Sequence, residues 1–225
     1  YRYLKRFLKL YGVTKVQGIL ADFGISSHQI DEPSRGFATR FDAPLDMRMN
    51  TKEGISAKEV VNNYSAEQLQ HILGFYGEVI NAKTLANKIV EARTLHPIET
   101  TKDLVEIGKT VSKGIEVKYL AQVFQAIRIE VNDELNAIKE FLQQSEEVLD
   151  TNGRLVIMSY HSLEDRLTKN FMKNGVFDGE PEKDIFGKFE HHLKVITKKP
   201  IEASATELKI NSRARSAKLR IAKKN

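Results

Sequence analysis

Two short apolar runs, separated by a long stretch of helical pattern, constrain the fold of this chain most. Residues 16–21 (VQGILA) and 154–159 (RLVIMS) each have the length of a buried strand and are bounded by turn-forming residues. Residues 56–112 between them repeat apolar side chains at helical spacing and show no strand alternation. This order predicts an α/β fold, with a βαβ-type sheet and a helical subdomain inserted between its first two strands.

Local signals predict where the other elements begin and end. Ser65 and Gln68 form a capping box ahead of an apolar helical face, Thr101 is placed to cap another helix, and Ser162 with Asp165 predicts a third helix start. The remaining predictions are a helix at 3–11, a loop at 22–29, irregular chain at 31–50, a helix at 79–95, one continuous helix at 124–149, and strands at 193–197 and 217–222.

Composition excludes several classes of protein. The 225 residues include no cysteine, which rules out a disulfide framework and a thiolate metal site and is typical of a reducing, cytoplasmic location. No apolar run is long enough to span a membrane, and the basic, amphipathic start has no signal-peptide core. P-loop, G-x-S-x-G and G-x-G-x-x-G motifs are also absent from the sequence.

The net charge of +5 is unevenly distributed along the chain. Residues 188–225 contain 11 Lys and Arg against 3 Asp and Glu, so the rest of the chain is slightly acidic. A concentrated positive charge favours a polyanionic partner such as a phosphate backbone. A solvated basic tail explains the same composition, and charge alone does not separate the two.

Polar side chains follow both predicted strands of the first pair. Asp22, Ser26 and Ser27 come after the first strand, and His161 comes after the second. Because ligands of open α/β sheets bind beyond the carboxyl ends of the strands, these residues are candidates for a site. Asp22 can accept hydrogen bonds from an amine or hydroxyl, the two serines can bond a base edge, and His161 can stack on a base. Each also fits a turn, a cap or a structural histidine.

Two further groups of charged residues are candidates for a binding role. Arg35, Asp46 and Arg48 lie in a segment rich in Pro, Gly and Asp, where charges often face solvent only. Arg213, Arg215, Lys218 and Arg220 form a basic cluster that suits phosphates, although alternate positions also fit a solvated strand face.

Five ordered blocks resemble motifs of the small-subunit (16S) rRNA methyltransferase H family. Together they span nearly the whole chain, and the second and fourth are specific enough to make chance a poor explanation. The blocks are residues 18–31 (GILADFGISSHQID), 35–37 with 43–49 (RGF and APLDMRM), 124–135 (FQAIRIEVNDEL), 159–166 (SYHSLEDR) and 211–220 (NSRARSAKLR).

The resemblance implies a Rossmann-like methyltransferase domain with a helical insertion. It implies transfer of a methyl group from S-adenosylmethionine to the exocyclic N4 of a cytidine in the decoding region of 16S rRNA, without a metal. The expected substrate is rRNA in an assembled small ribosomal subunit, not DNA, and no membrane is involved. The corresponding domain boundaries are 1–45 with 122–225 for the methyltransferase domain and 46–121 for the RNA-recognising insertion.

The resemblance also assigns roles to individual residues. Asp22 and Gln29 match donor-binding positions, and Tyr1 falls close to an aromatic residue that packs near the donor. Asp22, Ser26 or Ser27, with His161, are expected to orient the cytosine amine. Contacts to the RNA are expected from Arg35, Asp46, Arg48, Arg128, Ser162, Arg166, Arg213, Arg215 and Lys218.

The sequence departs from related enzymes in two respects. Many amino-methyltransferases hold the target nitrogen with an Asp/Asn-Pro-Pro-aromatic tetrapeptide, whereas this chain has Asp22-Phe23-Gly24-Ile25. The chain also begins without Met, inside a helical pattern, so we expect the first strands and the glycine loop of the family to precede Tyr1. The hypothesis that follows is that these residues alone bind the donor poorly and do not turn over.

Three alternatives remain open from the sequence. The basic C-terminal segment also fits a non-catalytic RNA-binding or ribosome-assembly module. An amino-methyltransferase acting on DNA or protein is a second reading, and the missing Pro-Pro tetrapeptide argues against the DNA version. The third is a structural fragment that assembles with a separate N-terminal piece. Oligomeric state is not indicated by any motif.

Overall fold

The fold is an α/β arrangement of two compact units, seen in a computed structural model that describes residues 1–182, 184, 186, 189 and 191–225. The sheet unit consists of Tyr1–Gly24 and Leu135–Asn225. The helical unit consists of Ile25–Glu134. Lys188 and Glu190 of the basic C-terminal segment lie outside the described residues.

Helices make up most of the regular structure. They are α1 (Leu4–Leu10), α2 (Ser27–Asp31), α3 (Ala57–Asn63), α4 (Ala66–Phe75), α5 (Ala82–Leu95), α6 (Thr101–Val111), α7 (Glu116–Asn132), α8 (Glu134–Val148), α9 (Ser162–Asn174) and α10 (Ala205–Ile210). The strands are β1 (Val16–Asp22), β2 (Leu149–Ser159), β3 (Leu193–Val195), β4 (Ile201–Glu202) and β5 (Lys218–Lys224). Short 3-10 turns occupy Pro33–Arg35 and Ser212–Ser216.

The sheet unit is built on a mixed five-stranded sheet. Its order is β1-β2-β5-β3, and β4 also pairs with β5. Strands β1 and β2 are parallel, with Ile19 opposite Leu155 and Asp22 opposite Met158, whereas β5 runs antiparallel to both β2 and β3. The predicted βαβ-type order is therefore confirmed for β1 and β2, and the remaining pairings are antiparallel.

Buried and more exposed side chains alternate along β2, so one face of the sheet packs against the core. Leu155 and Ile157 are almost fully buried, while the residues between them are more exposed, as a half-buried strand requires. They share a core with other buried apolar residues of β1, β2, β3, β5, α8 and α9 and with Phe23, which follows β1. The set is Ala21, Phe23, Ile138, Phe141, Leu142, Leu149, Leu167, Phe171, Met172, Leu193 and Ala222. The carboxyl ends of β1 and β2 are thereby held side by side at one edge of the sheet.

The helical unit has a separate apolar core. Capping boxes start α3, α4 and α6, with Ser65 and Gln68 paired at α4 as predicted. Residues before and after the predicted insertion of 46–121 belong to the same core, including Phe37, Leu45, Val123 and Ile127. The compact unit at Ile25–Glu134 therefore extends further at both ends than the predicted boundaries.

Some local predictions were wrong. The continuous helix expected at 124–149 is two helices, because Asp133 adopts a left-handed conformation (φ 48°) between α7 and α8. The expected loop at 22–29 contains the start of α2. Thr100, not Thr101, caps α6, and α9 begins with His161 and Glu164 as its capping pair instead of Ser162 and Asp165.

None of the helices formed by the described residues is long and apolar enough to cross a membrane.

Candidate active site

Asp22 is the exposed last residue of β1, and its backbone position is firmly held. Its neighbours Ala21 and Phe23 are both buried in the core of the sheet unit. The Phe23 N–H donates to the carbonyl of Met158 at 3.0 Å, which extends the parallel pairing to β2. The fold thus presents a carboxylate to solvent at the edge of the sheet where α/β proteins bind ligands.

Tyr160, which was not among the predicted site residues, is a hydrogen-bond partner of this carboxylate. Its hydroxyl bonds to Asp22 and also lies 3.2 Å from Met158 Sδ. Burial, and then the Asp22 carboxylate, raises the pKa of Tyr160 to about 12. The phenol therefore stays protonated at neutral pH and acts as a donor toward this end of the sheet.

Glu164, also missed, organises the segment that follows β2. This fully buried carboxylate accepts hydrogen bonds from the backbone N–H of Tyr160 at 2.7 Å and of His161 at 3.4 Å. Its Oε1 lies 3.1 Å from His161 Nε2, and the His161 side chain is only 10% exposed. Gly24 (φ +84°) passes close by, where an added Cβ would lie 3.6 Å from Glu164 Oε1.

Tyr1 contributes an aromatic surface beside the end of β1. Its ring centroid lies 5.5 Å from those of Phe23 and Phe141, and these two rings also contact each other edge to face. Tyr1 is 48% exposed, so one part of the ring packs and the rest faces solvent. Because Phe23 directly follows Asp22, the structure brings the predicted aromatic residue and the predicted carboxylate into one neighbourhood.

The predicted basic cluster separates into buried and exposed residues. Arg220 is nearly buried and donates to both oxygens of Asp165, at 2.6 and 3.0 Å, so it braces β5 against α9. Burial is the largest influence and raises the Asp165 pKa, but the hydrogen bonds and charge of Arg220, together with the charges of Lys218 and Lys169, bring the net pKa below its ordinary value. Lys218 Nζ lies 3.7 Å from the same carboxylate. The interpretation of Arg220 as a phosphate ligand was therefore wrong.

The other predicted RNA contacts of the sheet unit lie at its surface. Arg166 is exposed on α9, Ser162 is the exposed first residue of that helix, and Arg213 and Arg215 are exposed in the 3-10 turn before β5. Their long basic side chains are accessible to a polyanion. Their contact with RNA stays a prediction.

In the helical unit, Ser26 and Gln29 form a reciprocal pair of hydrogen bonds, a capping box, at the start of α2. The Gln29 N–H donates to Ser26 Oγ at 3.2 Å, and the Ser26 N–H donates to Gln29 Oε1 at 2.9 Å. Ser27 is the exposed first residue of the helix. The Ser26 hydroxyl hydrogen and the Gln29 amide N–H groups are the donors that these residues can still offer to a ligand.

Arg35, Asp46 and Arg48 are joined in one loop of the helical unit. Arg48 donates from Nε and Nη2 to the two oxygens of Asp46, at 2.7 and 3.1 Å. Arg35 Nη2 donates to the carbonyls of Arg48 and Met49, at 2.6 and 3.1 Å. Arg35 therefore organises the loop internally, and Asp46 and Arg48 form a pair that is about a quarter exposed.

Arg128 is paired within the helical unit as well. It donates from Nε and Nη2 to the buried carboxylate of Glu134, at 2.7 and 3.0 Å. Such a bidentate pair closes the C-terminal end of α7 across the left-handed residue Asp133. Its predicted contact with substrate stays a prediction.

Comparison with known proteins identifies the family. The model of the MraW methylase family matches residues 1–225, the whole chain. The chain belongs to this family. The mixed sheet and numerous helices agree with the Rossmann-like methyltransferase fold expected from the resemblance, which is confirmed.

Curated relatives of this family carry a common name, ribosomal RNA small subunit methyltransferase H. The protein of Flavobacterium psychrophilum is 56% identical over 225 residues, which cover all of this chain and 77% of the relative. The Cytophaga hutchinsonii protein is 53% identical, with 75% of its length covered, and the Bacteroides fragilis protein is 48% identical, with 74% covered.

Proposed function

We propose that this protein transfers a methyl group from S-adenosylmethionine to the exocyclic N4 of a cytidine in the decoding region of 16S rRNA. The observation that carries the proposal is membership of the MraW methylase family over the whole chain, together with relatives named for methylation of small-subunit rRNA. The exposed carboxylate and half-exposed aromatic ring at the end of β1 support it independently.

The residues at the end of β1 fit the methyl donor chemically. S-adenosylmethionine offers hydroxyl and amine donors and a flat adenine ring, and it supplies a methyl group made electrophilic by the positive sulfur. Asp22 is exposed and can accept hydrogen bonds, and Tyr1 offers an apolar ring face. Gln29 of the helical unit is proposed as a further donor-binding residue through its amide.

The cytosine amine is a weak nucleophile, so positioning is the main contribution we propose for the protein. Asp22 and His161 of the sheet unit, with Ser26 or Ser27 of the helical unit, orient the amine and the base edge. His161 suits this role because its backbone N–H donates to Glu164 at 3.4 Å and its largely buried ring places Nε2 3.1 Å from Glu164 Oε1. The target base must leave its stack to reach such a site, as in other base-modifying enzymes.

RNA binding is proposed for the exposed basic residues and for the 46–49 loop. The positive residues are Arg166, Arg213, Arg215 and Lys218, Ser162 is an exposed residue of the same unit, and Asp46 and Arg48 present a fixed hydrogen-bonding pair. Arg35 holds the 46–49 loop through the carbonyl of Arg48, and Arg128, which is paired with Glu134, is proposed as a further RNA contact. The proposed substrate is rRNA in an assembled small ribosomal subunit, in the cytoplasm, with no metal in the reaction.

A non-catalytic RNA-binding module is the second candidate, favoured by the basic C-terminal segment. The full-length protein is incubated with donor labelled in its methyl group and with small subunits lacking the modification. Label in the RNA at close to one methyl per subunit is expected. Tight binding to the subunits without transfer of label would favour the module and contradict the proposed function.

A further inference from the structure

Asn132, the last residue of α7, clasps the 46–49 loop. Its Nδ2 donates to the carbonyl of Met47 at 2.8 Å, and its Oδ1 accepts from the N–H of Met49 at 2.6 Å. The same Nδ2 also donates to the carbonyl of Arg128 at 2.9 Å, which ties the side chain to its own helix. One amide thereby bonds the peptide groups on both sides of Arg48.

Other contacts fix the same stretch of backbone. Arg35 Nη2 donates to the carbonyls of Arg48 and Met49, and the Met47 N–H donates to the carbonyl of Arg35. Met47 is fully buried and adopts a left-handed conformation (φ 58°), which costs a side-chain-bearing residue free energy. A strained conformation persists only where its surroundings hold it, and Asn132 supplies two of the bonds that do so.

Because the hydrogen bonds from Asn132 and Arg35 fix the backbone on both sides of Arg48, the Arg48 side chain has a defined orientation. Asp46 accepts from Nε and Nη2 and from the Arg48 backbone N–H, so it occupies one edge of the guanidinium group. Burial is the largest influence and raises the Asp46 pKa, but the hydrogen bonds and charge of Arg48, with the charge of Arg35, together bring it below its ordinary value, so the carboxylate is ionised and the pair is close to neutral. On the Nη1 edge, one N–H donates to the Gly54 carbonyl at 3.5 Å, and the second N–H of Nη1 and that of Nη2 are the remaining donors.

We propose that Asn132 is a positioning residue for RNA binding, which holds the loop so that the Nη1 edge of Arg48 donates to an acceptor oxygen of the RNA. The inference rests on the proposed function, because it takes RNA as the ligand of this loop. It joins two of the sequence blocks, 43–49 and 124–135, through one side chain. Because Asp46 offsets the charge of Arg48, this contact recognises geometry more than net charge.

The chain offers a closely matched control in Asn62. Its Nδ2 donates to the carbonyls of Lys58 and Ile98, and its Oδ1 accepts from the Ile98 N–H, so it clasps a different loop of the same unit. Asn62→Ala removes a similar set of bonds in the same helical unit, at a position where no individual residue is assigned an RNA contact. Any loss that stems only from weakening the helical unit should appear in both variants.

The test measures the dissociation constant of the full-length protein for small ribosomal subunits by filter binding, beside methyl transfer and thermal unfolding. Asn132→Ala should weaken subunit binding about 10-fold, since it removes the bonds to both Met47 and Met49, and Asn132→Asp should weaken it about 3-fold. Donor binding and the rate at saturating subunits should stay within about 2-fold, as expected for a substitution that weakens substrate binding alone. Asn62→Ala should lower the unfolding temperature similarly and leave subunit binding unchanged.

A double variant supplies the decisive comparison. If Asn132 acts through Arg48, Asn132→Ala combined with Arg48→Ala should bind subunits no more weakly than Arg48→Ala alone. Additive losses, or equal losses in the Asn132 and Asn62 variants, would overturn the proposal. Subunit binding without methyl transfer by the wild type would contradict the proposed function and leave this test intact, and absence of binding by the wild type would contradict both.

Discussion

The end of β1 in the sheet unit and the 46–49 loop in the helical unit use their charged groups in opposite ways. Asp22 is exposed and contacts the Tyr160 hydroxyl, while its backbone is held by buried neighbours on both sides. Asp46 and Arg48 satisfy each other, and Asn132 and Arg35 satisfy the backbone around them. The first arrangement offers a charge to a ligand, and the second offers a preformed shape.

Because of this difference, substitutions at the end of β1 should mainly weaken ligand binding, and substitutions around the 46–49 loop should also lower stability. Removing an exposed carboxylate costs little stability, because water already solvates it in the free protein. Removing one member of a paired and partly buried group leaves its partner unsatisfied, which costs stability whether or not a ligand binds there. Substitutions in the two regions should therefore affect different measurements.

The largest expected effect is a loss of stability at the buried pair of Arg220 and Asp165, although the sequence grouped Arg220 with candidate phosphate ligands. Arg220→Met removes both hydrogen bonds to the nearly buried Asp165 carboxylate and leaves the more distant Lys218 ammonium, at 3.7 Å, to offset its charge, so it should lower the free energy of unfolding by about 3 kcal/mol. The Asp165 pKa is lowered in the folded state, so this stabilisation is present above the ordinary Asp pKa of 3.8 and is lost as the pH falls through the folded-state pKa.

Chemical denaturation at pH 7 and near pH 3 measures both parts of this prediction. Asp165→Asn should remove the corresponding acid dependence, and Arg213→Ala, at an exposed residue, serves as the control with little change. A stability loss below about 1 kcal/mol in Arg220→Met, the range of exposed ion pairs, would mean that the pair is solvated and that our distinction fails here.

Asp22→Ala should reduce donor binding and methyl transfer by about 100-fold, through loss of charge-assisted hydrogen bonds, and change unfolding by less than about 0.5 kcal/mol. Calorimetric titration with S-adenosylmethionine and an unfolding curve give the two values. Asp150→Ala is the matched control, because Asp150 is an exposed carboxylate near the opposite end of the same strand pair. Near-normal activity of Asp22→Ala would eliminate the proposed role of this carboxylate.

Arg35→Met should lower the stability of the protein, and it should affect RNA binding only indirectly. Loss of the donors to the Arg48 and Met49 carbonyls should lower the free energy of unfolding by about 1.5 kcal/mol. RNA binding should weaken no more than it does in Arg48→Ala, because Arg35 affects the RNA only by holding the loop that carries Arg48. A stable Arg35→Met variant with strongly reduced RNA binding would instead identify Arg35 as a direct ligand.

The smallest expected effects come from the exposed arginines of the sheet unit. Arg213→Ala and Arg215→Ala should each weaken subunit binding only about 2–3-fold, and each should reduce the slope of log affinity against log salt by about 1 if the arginine neutralises one phosphate. Binding measured at several salt concentrations gives this slope. A salt dependence identical to that of the wild type in both variants would show that neither residue binds phosphate.

Much of the sheet unit was predictable because its signals are local. The runs at 16–21 and 154–159 are short, apolar and bounded by turns, and both are strands. The break at Asp133 was not predictable, since the apolar spacing continues across it and only the left-handed residue shows that two helices meet there. Cap positions were misplaced by one residue at Thr100 and His161, which is where helix signals are least exact.

The candidate site was only partly predictable for a different reason. Asp22 and His161 follow recognisable strands, so their shared edge could be inferred from the sequence. Tyr160, Glu164 and Asn132 lie within the quoted sequence blocks, but their roles depend on hydrogen bonds to particular backbone and side-chain atoms. Arg220 is the opposite case. Its spacing in the sequence grouped it with the exposed arginines, but it is buried and paired with Asp165, so it is not available to a ligand.

The most direct test of the central claim is the identity of the methylated nucleoside. Small subunits lacking the modification are treated with the full-length protein and with donor carrying a deuterated methyl group, and the rRNA is digested to nucleosides for mass spectrometry. Our account predicts one heavy methyl on N4 of cytidine, and its loss in the Asp22→Ala variant. Label on another atom or another base, or no label from an enzyme that binds the subunits, would contradict it.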